Sequence, residues 1–110
     1  MKLLRFAGSA KADLSAFPDR VRIRAGFELF MVQSGREPSD WKPMQTVGRG
    51  AAEIRVRDEA GSYRVIYVAR FTAAVYVLHA FQKKSQKTAR ADVMIAAQRY
   101  RDIEAALEKE

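Results

Sequence analysis

Arginines recur at alternate positions in the middle of this chain, and they are the side chains through which it could do chemistry. Glu53, Arg55 and Arg57 occupy every second position of a run whose other members are apolar. Arg64 lies in the next run, which is rich in β-branched and aromatic residues. Side chains alternate between the two faces of a strand, so this spacing places the charged groups on one face of a sheet. Such a face suits a polyanion and could stabilise charge on a phosphate.

Lysines continue the cationic pattern, because Lys83, Lys84 and Lys87 cluster where the last apolar run ends. If a bound polyanion were also a substrate, cations would stabilise charge on its phosphate, and a base and an acid would transfer the protons. Arginine and lysine can do the electrostatic part of this work, so we expect neither a metal nor a cofactor. The alternative is a solvated sheet face whose arginines pair with carboxylates such as Glu53 and Asp58.

Three residues are candidates for the base or the acid. Glu53 shares the arginine face and could accept a proton, but a charge partner for Arg55 or Arg57 is the preferred interpretation. His79 is the single histidine, and a lone histidine on an apolar face is more often a core residue. Tyr67 could position a group or donate a proton, although aromatic residues in central strands usually belong to the core. By alternation, His79 shares its face with apolar residues, namely Val75, Val77 and Phe81.

Length and composition predict one globular domain over residues 1–110. The chain is 48% hydrophobic and 30% charged, and it contains no cysteine, which excludes disulfides and thiolate chemistry. Its net charge of +7 favours a polyanionic partner over a charge that serves solubility alone. The N-terminus is too briefly apolar for a signal peptide, and no run is long enough to span a membrane. We therefore expect a soluble, cytoplasmic protein.

The hydrophobic pattern predicts an α+β fold with the element order β-α-α-β-β-β-α. An N-terminal strand precedes a helical hairpin, three antiparallel strands follow, and a final helix carries one apolar stripe that includes Tyr100. Residues 35–44, which contain Trp41, are predicted as a loop. Thr88 is predicted to cap the final helix.

At these residues the sequence resembles the RelE/ParE toxin superfamily, specifically its phage-derived HigB-type branch. The resemblance covers nearly the whole chain. It is carried by Trp41, Gly48 and the segments 53–57, 63–67, 79–84 and 86–88, which include the Tyr-Arg-Val-Ile-Tyr strand and the Phe-Gln-Lys-Lys segment.

The resemblance implies a RelE-like fold and the toxin of a type II toxin–antitoxin system that cleaves mRNA, usually on the ribosome. It implies an antitoxin partner that carries a helix-turn-helix, as HigA-like proteins do, in a hetero-oligomeric complex. Arg64 matches the superfamily's arginine, and we expect it to stand exposed and stabilise the phosphate. Lys83 and Lys84 match a basic position at the end of the last strand and, as catalytic residues beside Arg64 and Glu53, could contact the phosphate or the leaving group when the 2′-hydroxyl of the RNA attacks. By alternation, Arg55 and Arg57 would extend the phosphate-binding track, and Lys87 would add to it.

One departure keeps a second function open. Several superfamily nucleases carry a catalytic tyrosine or histidine near the C-terminus, whereas the chain after Lys84 offers only Tyr100, on an apolar stripe. ParE-like members of the superfamily inhibit gyrase through protein binding, and a missing acid or base is typical of that alternative. A basic phage protein that binds nucleic acid without toxicity is a third interpretation.

Overall fold

The computed structural model describes residues 1–85 and 87–109, so Gln86, which belongs to one of the motif segments, lies outside the described residues. The described part contains five strands and three helices. In chain order they are β1 (Leu3–Phe6), α1 (Ala10–Ser15), α2 (Asp19–Gln33), β2 (Trp41–Pro43), β3 (Ala51–Asp58), β4 (Gly61–Val68), β5 (Ala74–Lys83) and α3 (Arg90–Glu108).

All five strands form one sheet in the order β1-β5-β4-β3-β2. The α+β class, the helical hairpin and the C-terminal helix are confirmed. Two details differ from the sequence prediction. The edge strand β1 runs parallel to β5, while the other pairs are antiparallel. The predicted loop contains β2, which places Trp41 opposite Ile54 and Pro43 opposite Ala52. A proline is compatible with this position because β2 is an edge strand.

The sheet is covered on both faces, which explains why its central strands are apolar on both sides. Helices α1 and α2 pack on one face, and α3 packs on the other. The core on the α1 and α2 side includes Leu14, Val21, Leu29, Ile54 and Val65. The core on the α3 side includes Ile66, Val68, Leu78, Ala96 and Tyr100.

A β-bulge in β5 corrects the predicted environment of His79. His79 lies opposite Ile66, whereas Val77 lies opposite Tyr67, so one extra residue, Leu78, interrupts the alternation. A bulge moves the following side chains to the other face of the sheet. Val77 therefore packs on the α1 and α2 side, while His79 faces α3. Strict alternation had wrongly grouped the two residues.

Within the described ranges, no helix is both long and apolar enough to cross a membrane.

Candidate cationic site on the sheet

Strand register brings the predicted cations together at one end of the α3 face. Arg55 on β3 lies opposite Arg64 on β4. Arg57 lies opposite Ser62, which in turn lies opposite Lys83 on β5. Directly opposed residues of paired strands share a face and lie side by side. Three strands thus contribute charge to one cluster, which we call the cationic cluster: Arg55, Arg57, Arg64 and Lys83.

Glu53 lies beneath this cluster and holds it together. Its side chain is fully buried, and its Oε1 lies 3.3 Å from Arg64 Nε and 3.9 Å from Arg55 Nε. Its other oxygen, Oε2, accepts a hydrogen bond of 2.6 Å from Thr88 Oγ1. This geometry favours the ion-pair interpretation of Glu53. A carboxylate enclosed in this way positions the arginines and does not reach a substrate hydroxyl.

Arg64 is buried, which corrects the expectation that it stands exposed. Its side chain is only 5% exposed, and its Nη1 donates to the Tyr63 carbonyl over 3.1 Å and to Ser62 Oγ over 3.4 Å. Burial lowers the pKa of Arg64, and the guanidinium of Arg55 acts in the same direction, while Glu53 opposes both. Arg64 therefore contributes positive charge to this surface from a buried position.

The outer layer of the cluster consists of Arg55, Arg57 and Lys83. Arg55 is 27% exposed, Arg57 is exposed, and Lys83 is half-buried at the end of β5. Desolvation lowers the pKa of Lys83, and the nearby positive charge of Arg64 lowers it further. A lysine with a lowered pKa releases its proton more readily, as a general acid must. The remaining predicted lysines, Lys84 and Lys87, are exposed beyond the strand.

Hydrogen bonding within the cluster is incomplete. Glu53 Oε1, Arg55 Nε and Arg64 Nε are buried, and none has a hydrogen-bond partner in the described part of the chain. The groups are close enough to attract one another as charges, but their geometry does not complete the bonds. The carboxylate therefore neutralises part of the arginine charge without closing a network around it.

His79 lies on the same face as the cluster but serves a different contact. Its Nε2 lies 2.7 Å from Asp92 Oδ1 of α3, and its ring stacks on Phe81 with centroids 4.8 Å apart. Its side chain is 9% exposed, and its Nδ1 has no partner among the described residues. His79 thus joins β5 to α3.

Tyr67 lies on the opposite face of the sheet, in the core under α1 and α2. Burial raises its pKa to about 12, and the Glu37 carboxylate acts in the same direction. The structure therefore does not bring Tyr67 together with Arg64. Of the predicted acid and base candidates, Glu53 and His79 share the cluster's face but are enclosed, and Tyr67 points away from it.

Residues 12–101 match the family described as phage-derived protein Gp49-like (DUF891). This match covers most of the chain, including the strands β2 to β5 that carry the cationic cluster. The chain belongs to the Gp49-like family. The family is associated with toxins of toxin–antitoxin systems that are RelE-like. A comparison with curated proteins finds no match.

The sequence did not predict the roles of three residues at this face of the sheet. Lys42 lies opposite Glu53 on β2, and its charge helps to lower the pKa of Lys83. It was missed because β2 was predicted as a loop. Thr88 binds Glu53 instead of capping α3, whose first turn is preceded by Ala89. Asp92 pairs with His79 across 13 residues of sequence, and no local pattern indicates such a contact.

Among the described residues, no group of three or more His, Cys, Asp or Glu side chains is arranged to bind a metal ion. The site instead offers cations of two kinds. Arginines supply fixed charge and planar donor groups, and a lysine supplies a transferable proton. This arrangement can bind a phosphodiester and stabilise negative charge that develops on it.

Proposed function

We propose that this chain is a HigB-type toxin of a type II toxin–antitoxin system, and that it cleaves mRNA on the ribosome in the cytoplasm. The observation that carries the proposal is the cationic cluster, in which three neighbouring strands place Arg55, Arg64 and Lys83 around one buried carboxylate. Membership of a family associated with toxin–antitoxin toxins supports it.

In the proposed reaction, the 2′-oxygen attacks the adjacent phosphorus while the bond from phosphorus to the 5′-oxygen breaks. Arg55 and Arg57 bind the phosphate from the surface, and Arg64 adds its field from below. Lys83 gives its proton to the leaving 5′-oxygen. Lys84 and Lys87 bind flanking phosphates of the RNA backbone. The reaction requires no metal and no cofactor.

The proton of the 2′-hydroxyl passes to a group outside this cluster, such as water or the ribosome. Glu53 is fully buried, and His79 is held by Asp92, so neither faces the surface where RNA would lie. The proposed mechanism is therefore mainly electrostatic, which fits dependence on the ribosome for alignment of the RNA.

A second candidate function follows from the same observation. Because Glu53 and His79 are both enclosed, the cationic cluster could bind an acidic protein surface without cleaving RNA. In that case the toxin would inhibit gyrase or another protein, as ParE-like toxins do. The two candidates use the same cations and differ in whether RNA is cut.

Controlled induction in a bacterial host tests the proposal, with mapping of transcript 5′ ends and measurement of plasmid supercoiling. New ends within coding regions, together with growth arrest and normal supercoiling, are the expected result. Lys83→Gln should abolish the new ends, whereas Lys11→Gln, on an exposed position of α1, should leave them unchanged. Arrest with intact mRNA and altered supercoiling would replace the nuclease by the gyrase-type inhibitor.

A further inference from the structure

Helix α2 exposes an apolar surface that its own fold does not cover. Ile23, Phe27 and Phe30 are 65%, 50% and 45% exposed, and they recur at the spacing of one helix face. Arg20 and Arg24 join Ile23 and Phe27 around an open depression of about 470 Å³. We call the surface formed by Ile23, Gly26, Phe27 and Phe30 the α2 outer face.

The other side of α2 is already buried against the sheet, through residues that include Val21, Ala25, Leu29 and Val32. A surface helix normally shows one apolar stripe and one polar face. This helix is apolar on two opposite sides. A contiguous apolar surface is rarely left exposed on a monomeric protein, and where it occurs it typically marks an interaction site.

Gly26 lies at one edge of the α2 outer face, is exposed, and makes no contact through its missing side chain. A Cβ at this position would meet no atom within 4 Å, and the backbone is not in the left-handed region that favours glycine. Glycine in a helix interior costs about 1 kcal/mol relative to alanine. A glycine that its own fold does not need is explained if a second backbone approaches the helix closely there.

Charge indicates what kind of partner would approach. Arg20, Arg22 and Arg24 flank the α2 outer face with exposed or half-exposed guanidinium groups. Arg22 pairs with the exposed Asp19 over 3.2 Å and Arg20 with the exposed Glu59 over 3.7 Å, and exposed pairs of this kind are weak. Arg20 also lies 3.6 Å from the largely buried Asp58, and the half-exposed Arg24 lies 3.1 Å from the buried Glu28. A second copy of this chain would bring arginines against arginines, so a partner with carboxylates is favoured.

We propose that the α2 outer face docks an amphipathic helix of an acidic partner protein, with the apolar seam of that helix crossing over Gly26 and its flanking carboxylates meeting Arg20, Arg22 and Arg24. Identifying this partner as the antitoxin rests on the proposed function, but the docking itself does not. The α2 outer face and the cationic cluster lie on opposite sides of the sheet.

A titration of the isotope-labelled full chain by NMR tests this docking. The probes are two synthetic helical peptides with the same leucine and alanine seam, one flanked by glutamates and the other by lysines. The glutamate peptide should bind at least about tenfold more tightly and shift the resonances of Ile23, Phe27 and Phe30. Replacing both Arg20 and Arg22 by glutamate should reverse the preference.

Gly26→Leu is the decisive variant, because it fills space that only a partner would need. It should leave thermal stability equal or higher, since leucine is the better helix former, and it should weaken the glutamate peptide at least about fivefold. The affinity of Gly26→Ala for the glutamate peptide should lie between those of the wild type and Gly26→Leu. Equal binding of both peptides, or shifts centred on α3 instead, would overturn the proposal.

Two controls separate this inference from its alternatives. A dimer of the free chain that grows with concentration and is abolished by Gly26→Leu would replace the acidic partner by a second copy. RNA cleavage by Gly26→Leu should equal that of the wild type. If cleavage is absent from both proteins while peptide docking persists, the proposed nuclease function fails and the docking surface stands.

Discussion

At the scale of single residues, the cations of the candidate site divide into an outer layer and a buried one. Arg55 and Lys83 reach the surface, whereas Arg64 is enclosed and ion-paired with Glu53. Substituting Lys83 therefore tests the surface of the site, while substituting Arg64 also changes stability. The two classes require different experiments.

Lys83→Gln should reduce RNA cleavage by about a hundredfold, because it removes both the proposed acid and a surface charge. Its unfolding free energy should stay within about 0.5 kcal/mol of the wild type, since the position is near the surface. Cleavage of a defined transcript on purified ribosomes, beside urea denaturation, measures both quantities. A Lys83→Gln protein as active as the Lys11→Gln control would remove Lys83 from the mechanism.

Arg64→Ala should destabilise the protein by about 3–5 kcal/mol, because it leaves the buried Glu53 carboxylate without its nearest charge partner. Combining it with Glu53→Gln should restore much of that stability, since the amide needs no cation and can still accept the hydrogen bond from Thr88. The double variant should remain inactive. Urea denaturation and cleavage assays of all three variants test this, and recovery of activity together with stability would show that Arg64 is purely structural.

Tyr67 predicts a loss of stability at high pH. Its pKa is raised from 10.0 to about 12, so the neutral phenol is favoured in the folded state. This stabilisation is fully present below the unfolded value and is lost as the pH rises through the folded one, by up to ~3 kcal/mol. Urea denaturation below pH 10.0 and near pH 12 should show that Tyr67→Phe loses less unfolding free energy at alkaline pH than the wild type does. An identical loss in the variant would contradict the assignment.

At the scale of elements, α3 is attached to the sheet by polar contacts near its start and by the buried ring of Tyr100 further along. Thr88 and Asp92 bind Glu53 and His79 near the start of α3. Further along, Tyr100 OH donates to the Arg49 carbonyl over 2.6 Å. The helix therefore covers the second core, and the residues that lead into it bind the carboxylate beneath the cationic cluster.

Gly48→Ala should destabilise the protein by about 1–3 kcal/mol through overpacking. A Cβ at Gly48 would lie 2.7 Å from the ring of Tyr100, which is buried and cannot swing away without breaking its hydrogen bonds to Arg49 and Arg70. Thermal unfolding measures the effect, and Gly26→Ala is the matched control because its Cβ meets open space. An unchanged melting temperature in Gly48→Ala would show that α3 can shift.

At the scale of the whole molecule, part of the net charge of +7 is concentrated in two regions of the surface. One face of the sheet carries the cationic cluster and the lysines that follow it, while α2 carries a separate set of arginines on the other side. The proposed RNA substrate and the proposed acidic partner would therefore not compete for the same charges.

Binding of RNA should weaken steeply with salt, because each neutralised phosphate releases a counterion. Lys84→Gln and Lys87→Gln should each reduce the slope of log affinity against log salt by about 0.7, the value for one contact to a single strand. Fluorescence anisotropy with a single-stranded RNA measures this slope. Arg22→Gln on α2 is the control, and a slope that falls equally in that variant would show that binding is spread over the whole surface.

Local periodicity determined much of this protein from the sequence alone. Alternation predicted that Glu53, Arg55 and Arg57 share a face, and helical spacing predicted that Tyr100 belongs to the apolar stripe of the last helix. The structure confirms both, with Arg55 beside Glu53 and Tyr100 in the core. Such features depend on neighbours in the chain, so they hold wherever a strand or helix is regular.

Only the tertiary structure decided what surrounds these residues. The bulge at Leu78 turned His79 toward α3, and an edge strand brought Lys42 beside Glu53. Arg64 is buried and ion-paired with Glu53 of the neighbouring strand β3, which no alternation within β4 indicates. Register, bulges and burial arise from contacts distant in sequence. The sequence therefore determined which cations share a face, and packing decided which of them reach the surface.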